Sequence, residues 1–413
     1  KLIEGIKIPN LREEFKMLQH ADDCTNFIRD PLSFKHLEKE YENFGKASGS
    51  KINHEKTEIL KIGNWRGNHP GLPPHLVKDK VKALGLYFGK NEEQENLKTI
   101  KKKIKQRIEI WAQTPLSLME RAQVAKTYFY SYANYILNSL DLKQTILKQL
   151  DKDIINYIWN FKFHYIEKET LYREQNKGGL ALPNFIWKQE ANILKRLVNL
   201  KDKPEKPWEA LYIYWFGFYL NNKKEIFTNN KLTKKLCIKR KYTYIKNLIV
   251  KFKNKKEIWN ENKSKDIYRT LREYYTNITK CKVERENWGV DWEMTWKNWA
   301  NIKSLKIQSM IFKFLHNTWL TGEVAKRYKM IKTIPKCPLC KKFDFTKKHV
   351  ILECKLIKIQ RDKLVTTISE KNVFNSNIML FLDKKIEKKI LFEIINFIIT
   401  TMKQCGQIII IGK

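Results

Sequence analysis

The stretch FKMLQHADDCTNFIRDP, residues 15–31, decides how the first part of the chain is read. Two short apolar runs, FKMLQH and CTNFIR, flank two adjacent acids, Asp22 and Asp23. That order reads as the two arms of a hairpin with the acids at its turn. Carboxylates side by side repel, and the repulsion raises a pKa unless something positive sits there. Two readings stay open at this point: a turn in water, and a metal site. Asp30 followed by Pro31 is a helix start, a capping side chain and then a ring preset for the first helical position. Phe34, Leu37, Tyr41 and Phe44 come next at helical spacing, and Gly45 and Gly49 mark the stop.

On either side the pieces stay short. EGIKIP, residues 4–9, reads as a strand end. SKINHEKTEILKIG, residues 50–63, reads as a turn and a strand, NWRGNHPGLPP, residues 64–74, as a loop, and VKALGLYFG, residues 81–89, as another strand. The first 90 residues are therefore expected to be α+β. After Lys90 the pattern turns helical. Leu97, Ile100, Ile104, Ile108 and Trp111 form one apolar stripe, with Lys101, Lys102, Lys103, Lys105 and Arg107 largely off it. DKPEKP, residues 202–207, is a candidate boundary, and no repeat of fixed period is visible. Residues 231–256 are rich in Lys and Arg, lack acids and interleave Tyr242, Tyr244 and Phe252. That run suits single-stranded RNA, by charge plus stacking rings, or equally a solvated charged face. Trp288, Trp292, Trp296 and Trp299 sit at helical spacing, which points to a helix packing its Trp face into a core.

Composition narrows the partner. The chain has 413 residues, with 81 Lys and Arg against 44 Asp and Glu, a net charge of +37. Aromatic content is high, so the chain is not of a disordered type. A folded chain this basic calls for a polyanion, most often nucleic acid, with a membrane surface as the weaker option. No apolar run reaches the roughly 18 residues of a spanning helix. The chain starts at Lys1 in mid-pattern, with no initiator Met and no secretory signal peptide. The expectation is a fragment that is not secreted, although a processed chain would look the same.

Seven cysteines make an odd number for a disulfide scaffold, and three of them cluster with a histidine. CPLCKKFDFTKKHVILEC places Cys337, Cys340, His349 and Cys354 in a C-x2-C-x8-H-x4-C pattern. The close Cys pair can bite one ion from a tight turn, and the His and Cys can close a tetrahedron. Such a Cys3His set suits structural Zn2+ and leaves no open position. The alternative is four unrelated residues in a Lys-rich loop. Cys24, Cys237, Cys281 and Cys405 lack comparable partners and read as buried thiols. At the hairpin, two carboxylates could hold divalent ions for phosphoryl chemistry, and Mg2+ suits them. Alone, Ala-Asp-Asp is a weak signal, with a solvated turn as the default.

The order of motifs resembles a family. QHADDCTNFI looks like the aromatic-Ala-Asp-Asp hairpin of reverse transcriptases, above all those of non-LTR (LINE-type) retrotransposons. GSKINHEKTEIL resembles the segment after the connecting helix in those enzymes, and ALGLYFG their primer-grip hairpin. WAQTPLSLMERAQVAK is similar to their thumb signature, with Arg121 and Lys126. YIWNFK and then KGGLALPNF are similar to the segment C-terminal to that thumb. FKFLHNTWLTGEVAKR, with the Cys/His cluster after it, is similar to the C-terminal zinc-binding region. The likeness is collinear over nearly the whole chain.

The resemblance implies a palm remnant over 1–90, with Asp22 and Asp23 as Mg2+ ligands and catalytic residues. His20 stands where the family has an aromatic that supports the primer end. Lys56 matches a Lys placed near the incoming phosphates, as charge stabiliser or proton donor, although a surface Lys would look the same. Leu84, Gly85, Tyr87, Phe88 and Gly89 match the primer grip, and Gly178 and Gly179 read as a tight turn. Residues 91–200 would be the thumb and the helical segment after it, 201–330 a basic, Trp-rich helical linker, 331–360 the zinc knuckle and 361–413 a helical tail. Nucleic-acid contacts are expected from Lys101, Lys102, Lys103, Lys105, Arg107, Arg121, Lys126, Lys239, Arg240, Lys241, Tyr242 and Tyr244. The partners implied are an RNA template, a DNA primer or target, and their hybrid, read by shape and phosphates, without a membrane. Family logic gives a cytoplasmic ribonucleoprotein with nuclear integration. The family's polymerase also needs a third carboxylate and nucleotide-cradling fingers, and neither is found upstream of Asp22 in this chain. That leaves two main readings, a fragment of an RNA-directed DNA polymerase, inactive alone, and a non-enzymatic nucleic-acid-binding protein derived from such an element, with a purely structural basic zinc protein as the less favoured third.

Overall fold

The hairpin forms as the alternation of FKMLQH and CTNFIR predicts. β1 (Met17–His20) pairs antiparallel with β2 (Asp23–Asn26), with His20 opposite Asp23 and Ala21 at φ 53° in the turn. This is a computed structural model that describes residues 2–9, 11–63, 71–162, 164–200, 204–220, 242–261, 263–276, 281–285, 289–369 and 376–406. The helix Pro31–Ser48 starts where Asp30 accepts hydrogen bonds from the Ser33 amide (2.8 Å) and hydroxyl (2.7 Å). It runs through Gly45 and ends only at Gly49, whose φ of 74° turns its amide back onto the Gly45 carbonyl. Gly45 is needed inside the helix because a Cβ there would meet the Ser50 carbonyl at 2.7 Å. Phe34 packs with Leu72 and Leu76, flanked by Ile28, Ile59 and Val77, whereas Phe44 lies exposed.

The other sheets are equally small. β3 (Ile59–Leu60) lies parallel to β4 (Val77–Lys78), and β5 (Lys80–Ala83) pairs antiparallel with β6 (Leu86–Gly89). Leu84 and Gly85, at φ 47° and 82°, form the two-residue turn that matches strand twist. Buried Asn96 holds this hairpin through both backbone groups of Tyr87, accepting from its amide (2.9 Å) and donating to its carbonyl (2.8 Å). The rest is helical, so the fold is mostly α with a few short two-stranded sheets. The helix Glu92–Ala112 buries Ile100, Ile104 and Ile108 of the stripe read from the sequence, with Leu97 and Trp111 half-buried at its ends. Among the described residues no helix is long and apolar enough to cross a membrane.

Packing divides the chain into two units whose segments alternate: residues 1–103, 136–146 and 187–270 in the first, 104–135, 147–186 and 271–413 in the second. In the first unit, Gln189 on the helix Phe185–Val198 exchanges hydrogen bonds with both backbone groups of Leu142, and Glu190 accepts from the Tyr244 hydroxyl at 3.1 Å.

The second unit is centred on tryptophan. On the helix Trp292–Ala300, Trp296 and Trp299 are buried and Trp292 half-buried, as their spacing predicts, while Trp288 lies outside the described residues. Trp296 lies directly on Gly178, where a Cβ would come within 2.6 Å of the indole. A Cβ on Gly179 would strike the Arg173 carbonyl at 2.1 Å, so the Gly pair admits the ring and closes the turn. Glu284 joins the two sides. Its carboxylate accepts from Arg173 Nη1 (2.9 Å), the Cys281 amide (2.8 Å) and Trp296 Nε1 (2.7 Å).

His316 stacks on Trp296 and donates from Nε2 to the Gly178 carbonyl at 2.9 Å. Burial holds its pKa down to about 4, against the Gly178 hydrogen bond, so the folded state keeps the ring neutral. With the folded pKa depressed, the stabilisation is complete above about pH 6.5 and is lost as pH falls through about 4, a swing on the order of 3 kcal/mol. Urea unfolding at pH 7 and pH 4 should therefore show a larger loss in the parent chain than in His316→Gln. Equal losses would remove His316 from the acid response.

Candidate metal centre

Cys337 and Cys340 come from a short hairpin. Lys336 and Asp344 bridge its arms, and the Cys337 amide donates to the Phe343 carbonyl at 2.7 Å. Pro338 and Leu339 turn the chain, and Lys341 at φ 59° completes the return. Both sulfurs thus face one point. His349 and Cys354 are harder to bring together. Five residues apart on an α-helix, they would lie about 140° apart around the axis. The segment His349–Glu353 is a π-helical turn instead, and the Cys354 amide donates to the His349 carbonyl at 2.8 Å. That wider turn returns residue i+5 to the same face, a device found often at functional sites.

The four ligand atoms lie within 4.8 Å of one another. Tetrahedral zinc with sulfur at about 2.3 Å needs neighbouring sulfurs about 3.8 Å apart, so a contraction of about 1 Å closes the site. Cys340 Sγ is 3.3 Å from His349 Nε2. Three soft thiols and one imidazole are the donor set of a closed structural zinc site, and the residues fit that ion. Cys337 and Cys354 are fully buried, His349 is buried, and Cys340 alone of the four is partly open to solvent. Burial pushes the Cys337 thiol up. At Cys340 desolvation acts upward too, but the Phe343 and Lys342 amides, then His349 and Cys337, bring it down to about 6.

Around this set, Glu353 Oε2 lies 3.8 Å from His349 Nδ1 and so favours the tautomer that leaves Nε2 for the metal. The Phe343 ring covers the imidazole at 5.2 Å. Lys347 ties the centre down. Its ammonium donates to the Phe314 and Leu380 carbonyls and sits 4.5 and 4.4 Å from the Phe314 and Phe381 rings. Glu353 and Lys347 were missed by the sequence reading; a carboxylate four residues after a ligand His was the available signal for the first. Cys405, at the end of the helix Lys388–Gln404, is buried within electrostatic reach of Cys337 and Cys354. Burial first, then those thiols, pushes it up to about 12, so it stays protonated and outside the ligand set.

The other sequence-derived residues are scattered. Asp22 and Asp23 stand exposed at the hairpin tip, and among the described residues the Cys3His set is the group of three or more side chains placed to share an ion. Mg2+ therefore has two candidate ligands at this tip and no third among the described residues. Lys56 is exposed at the end of a 3-10 turn, His54–Lys56, whose Lys56 amide is capped by Asn53. Leu84, Gly85, Tyr87, Phe88 and Gly89 do lie on one hairpin, β5–β6, and Lys80 and Lys82 each approach the Tyr87 ring at 5.7 Å.

Lys102, Lys103 and Lys105 are exposed on the side of the helix Glu92–Ala112 away from its buried isoleucines, and Lys101 and Arg107 are half-buried. Arg121 departs from expectation. It is buried, donates to the Leu116 and Thr114 carbonyls, and lies over the Tyr157 ring, so it braces the fold and offers no surface to a phosphate backbone. Lys126 is half-buried, and burial, with Arg272 nearby, pushes its ammonium down to about 8. Tyr244 is committed to Glu190, and Tyr242 stacks on Trp215 at 5.7 Å, so both rings pack internally. Lys239, Arg240, Lys241 and Cys237 lie outside the described residues. Cys24 is exposed, not buried, on a strand most of whose residues face solvent. No protein-family model matches the chain.

Proposed function

We propose that this chain binds nucleic acid through the lysine face of the helix Glu92–Ala112, as the thumb-bearing part of a LINE-type reverse transcriptase, with zinc as a structural brace. The observation that carries the reading is the segregation on that helix: Ile100, Ile104 and Ile108 buried on one side, Lys102, Lys103 and Lys105 exposed on the other, in a chain of net charge +37. Rows of cations on a rigid helix suit regularly spaced phosphates, and an RNA–DNA hybrid is the ligand this reading assigns. The two hairpins support it as well, since one presents Asp22 and Asp23 at a tip and the other aligns the primer-grip residues.

The same observations favour binding over catalysis for the chain by itself. Two exposed carboxylates without a third hold a metal pair poorly. Lys56 keeps its assigned role, near a nucleotide's phosphates, only in a completed polymerase site.

The test is fluorescence anisotropy with a labelled hybrid over a range of salt. Replacing Lys101, Lys102, Lys103 and Lys105 together by Gln should flatten the slope of log affinity against log salt by up to about 0.9 per lost phosphate contact. At 0.1 M salt the loss should be on the order of a hundredfold. The paired variant Asp22→Asn/Asp23→Asn should bind as well as the parent or slightly better. Salt-insensitive binding, or an unchanged slope in the lysine variant, would sink the reading.

A further inference from the structure

Three tyrosines stand on the outer side of the segment after the short helix Leu118–Val124. Tyr128 lies in the π-helical turn Ala125–Tyr130, and Tyr132 and Tyr135 lie in the helix Ser131–Ser139. Their neighbours Phe129, Tyr130 and Ala133 are buried, so the inward face is already satisfied. Tyr128 is 45% exposed and Tyr135 50%. A second row lies alongside, from the helix Glu92–Ala112. Arg107 stacks its guanidinium over the Tyr132 ring at 4.4 Å, and Trp111 meets Tyr128 at 5.2 Å. Ile110, between them in sequence, is 69% exposed. Arg107 Nη1 is itself buried, so this guanidinium serves the surface through its place over the ring. The surface therefore combines ring faces, phenolic hydroxyls and a cation over an aromatic ring.

We propose that Tyr128, Tyr132 and Tyr135, with Arg107 and Trp111, form a stacking platform for unpaired bases of single-stranded nucleic acid. The argument is chemical. A duplex backbone needs cations alone, which the lysines of the same helix supply. Exposed rings gain nothing from a phosphate row, but every base offers a π-face to them. A ring with a guanidinium over one face keeps a second face for a base, and the cation strengthens that stacking. Lys105 beside this surface, and Lys101, Lys102 and Lys103 further along the helix, give the charge match for a polyanion; Glu109 is paired with Lys105 at 3.9 Å. The inference rests on the nucleic-acid-binding reading and adds to it where unpaired nucleotides go.

The experiment compares the full chain with Tyr128→Leu/Tyr135→Leu, both outward residues, after circular dichroism shows an unchanged fold. Probes are labelled 12-mers of oligo(U) and oligo(dT) and a blunt duplex of the same length. Single-strand affinity should fall roughly tenfold per ring, with the salt slope unchanged and duplex binding within about twofold. Ultraviolet crosslinking of oligo(U) carrying 4-thiouridine should map to Tyr128 or Tyr135 by mass spectrometry. Loss on either 12-mer supports the platform, and the larger loss identifies the sugar it favours. Unchanged single-strand affinity would overturn the platform while leaving the binding reading in place. An equal loss on duplex would overturn the assignment to unpaired bases. Failure of the parent chain to bind any of the three would remove both.

Discussion

Removing zinc is expected to lower the melting temperature of the second unit by about 8–16 °C. A ligand held at a thousand times its dissociation constant stabilises the folded state by about 4 kcal/mol, and in a unit of about 200 residues each kcal/mol moves the midpoint by about 2–4 °C. The centre can transmit that much because it closes on itself. The Cys337–Cys340 turn, the π turn of His349 and Cys354, and the Lys347 ammonium between two phenylalanine rings all belong to one short stretch. Without the metal, the Cys340–His349 contact is what remains between the ligand atoms of the two turns. Purified chain should carry about one zinc, and Cys337→Ser should lose it and melt like the chelated parent. Cys281→Ser and Cys405→Ser should keep the metal, because neither sulfur belongs to the set. Melting that ignores both chelator and Cys337→Ser would mean that the four side chains meet without an ion.

Glu284→Ala should cost about 3–5 kcal/mol, the usual penalty for leaving a buried ion pair half-made. The Arg173–Glu284 pair is nearly closed off, with side chains 12% and 9% exposed. The loss is compound: Arg173 keeps an uncompensated charge, and the Cys281 amide and Trp296 Nε1 lose their acceptor. Cys281 cannot take over the charge, since burial and then Glu284 push its thiol up to about 12. Glu284→Gln, which keeps an acceptor for Trp296, should lose about half as much. Changing both partners, Arg173→Met with Glu284→Leu, should be milder than Glu284→Ala. Urea midpoints for the four chains decide it. A loss under about 1 kcal/mol for Glu284→Ala would show that the network does not brace the Gly178 turn.

What could be read beforehand came from local chemistry. The Ala21–Asp22 turn, the Asp30–Pro31 helix start, the isoleucine stripe and the buried Trp face all rest on spacing within one element. The meeting of Cys337, Cys340, His349 and Cys354 was legible for the same reason, since soft donors at this spacing stand out in a sequence. The π turn was not, because nothing in HVILEC separates five-residue closure from a helix end. Arg121 was misplaced on the surface, although Leu118, Ala122 and Ala125 put it on a buried face by their own spacing. Glu284 was invisible, since Arg173 lies more than a hundred residues away and no local pattern predicts such a meeting.

The alternation of the two units along the chain bears on how the protein is made. The first unit needs residues 1–103 together with 187–270, and the second needs residues 104–135 together with 271–413. The core around Phe34, Leu72 and Leu76 is local to the first 90 residues, whereas the rest of the first unit draws on segments far apart in the chain. The second unit stays incomplete until residues 271–413, with the Cys/His cluster, have followed residues 104–135. Long-range closure of this kind is slow and leaves apolar surface open meanwhile. Expression of either unit from one continuous stretch of gene should give insoluble material, and a nick in the connecting segments should leave the pieces of each unit associated.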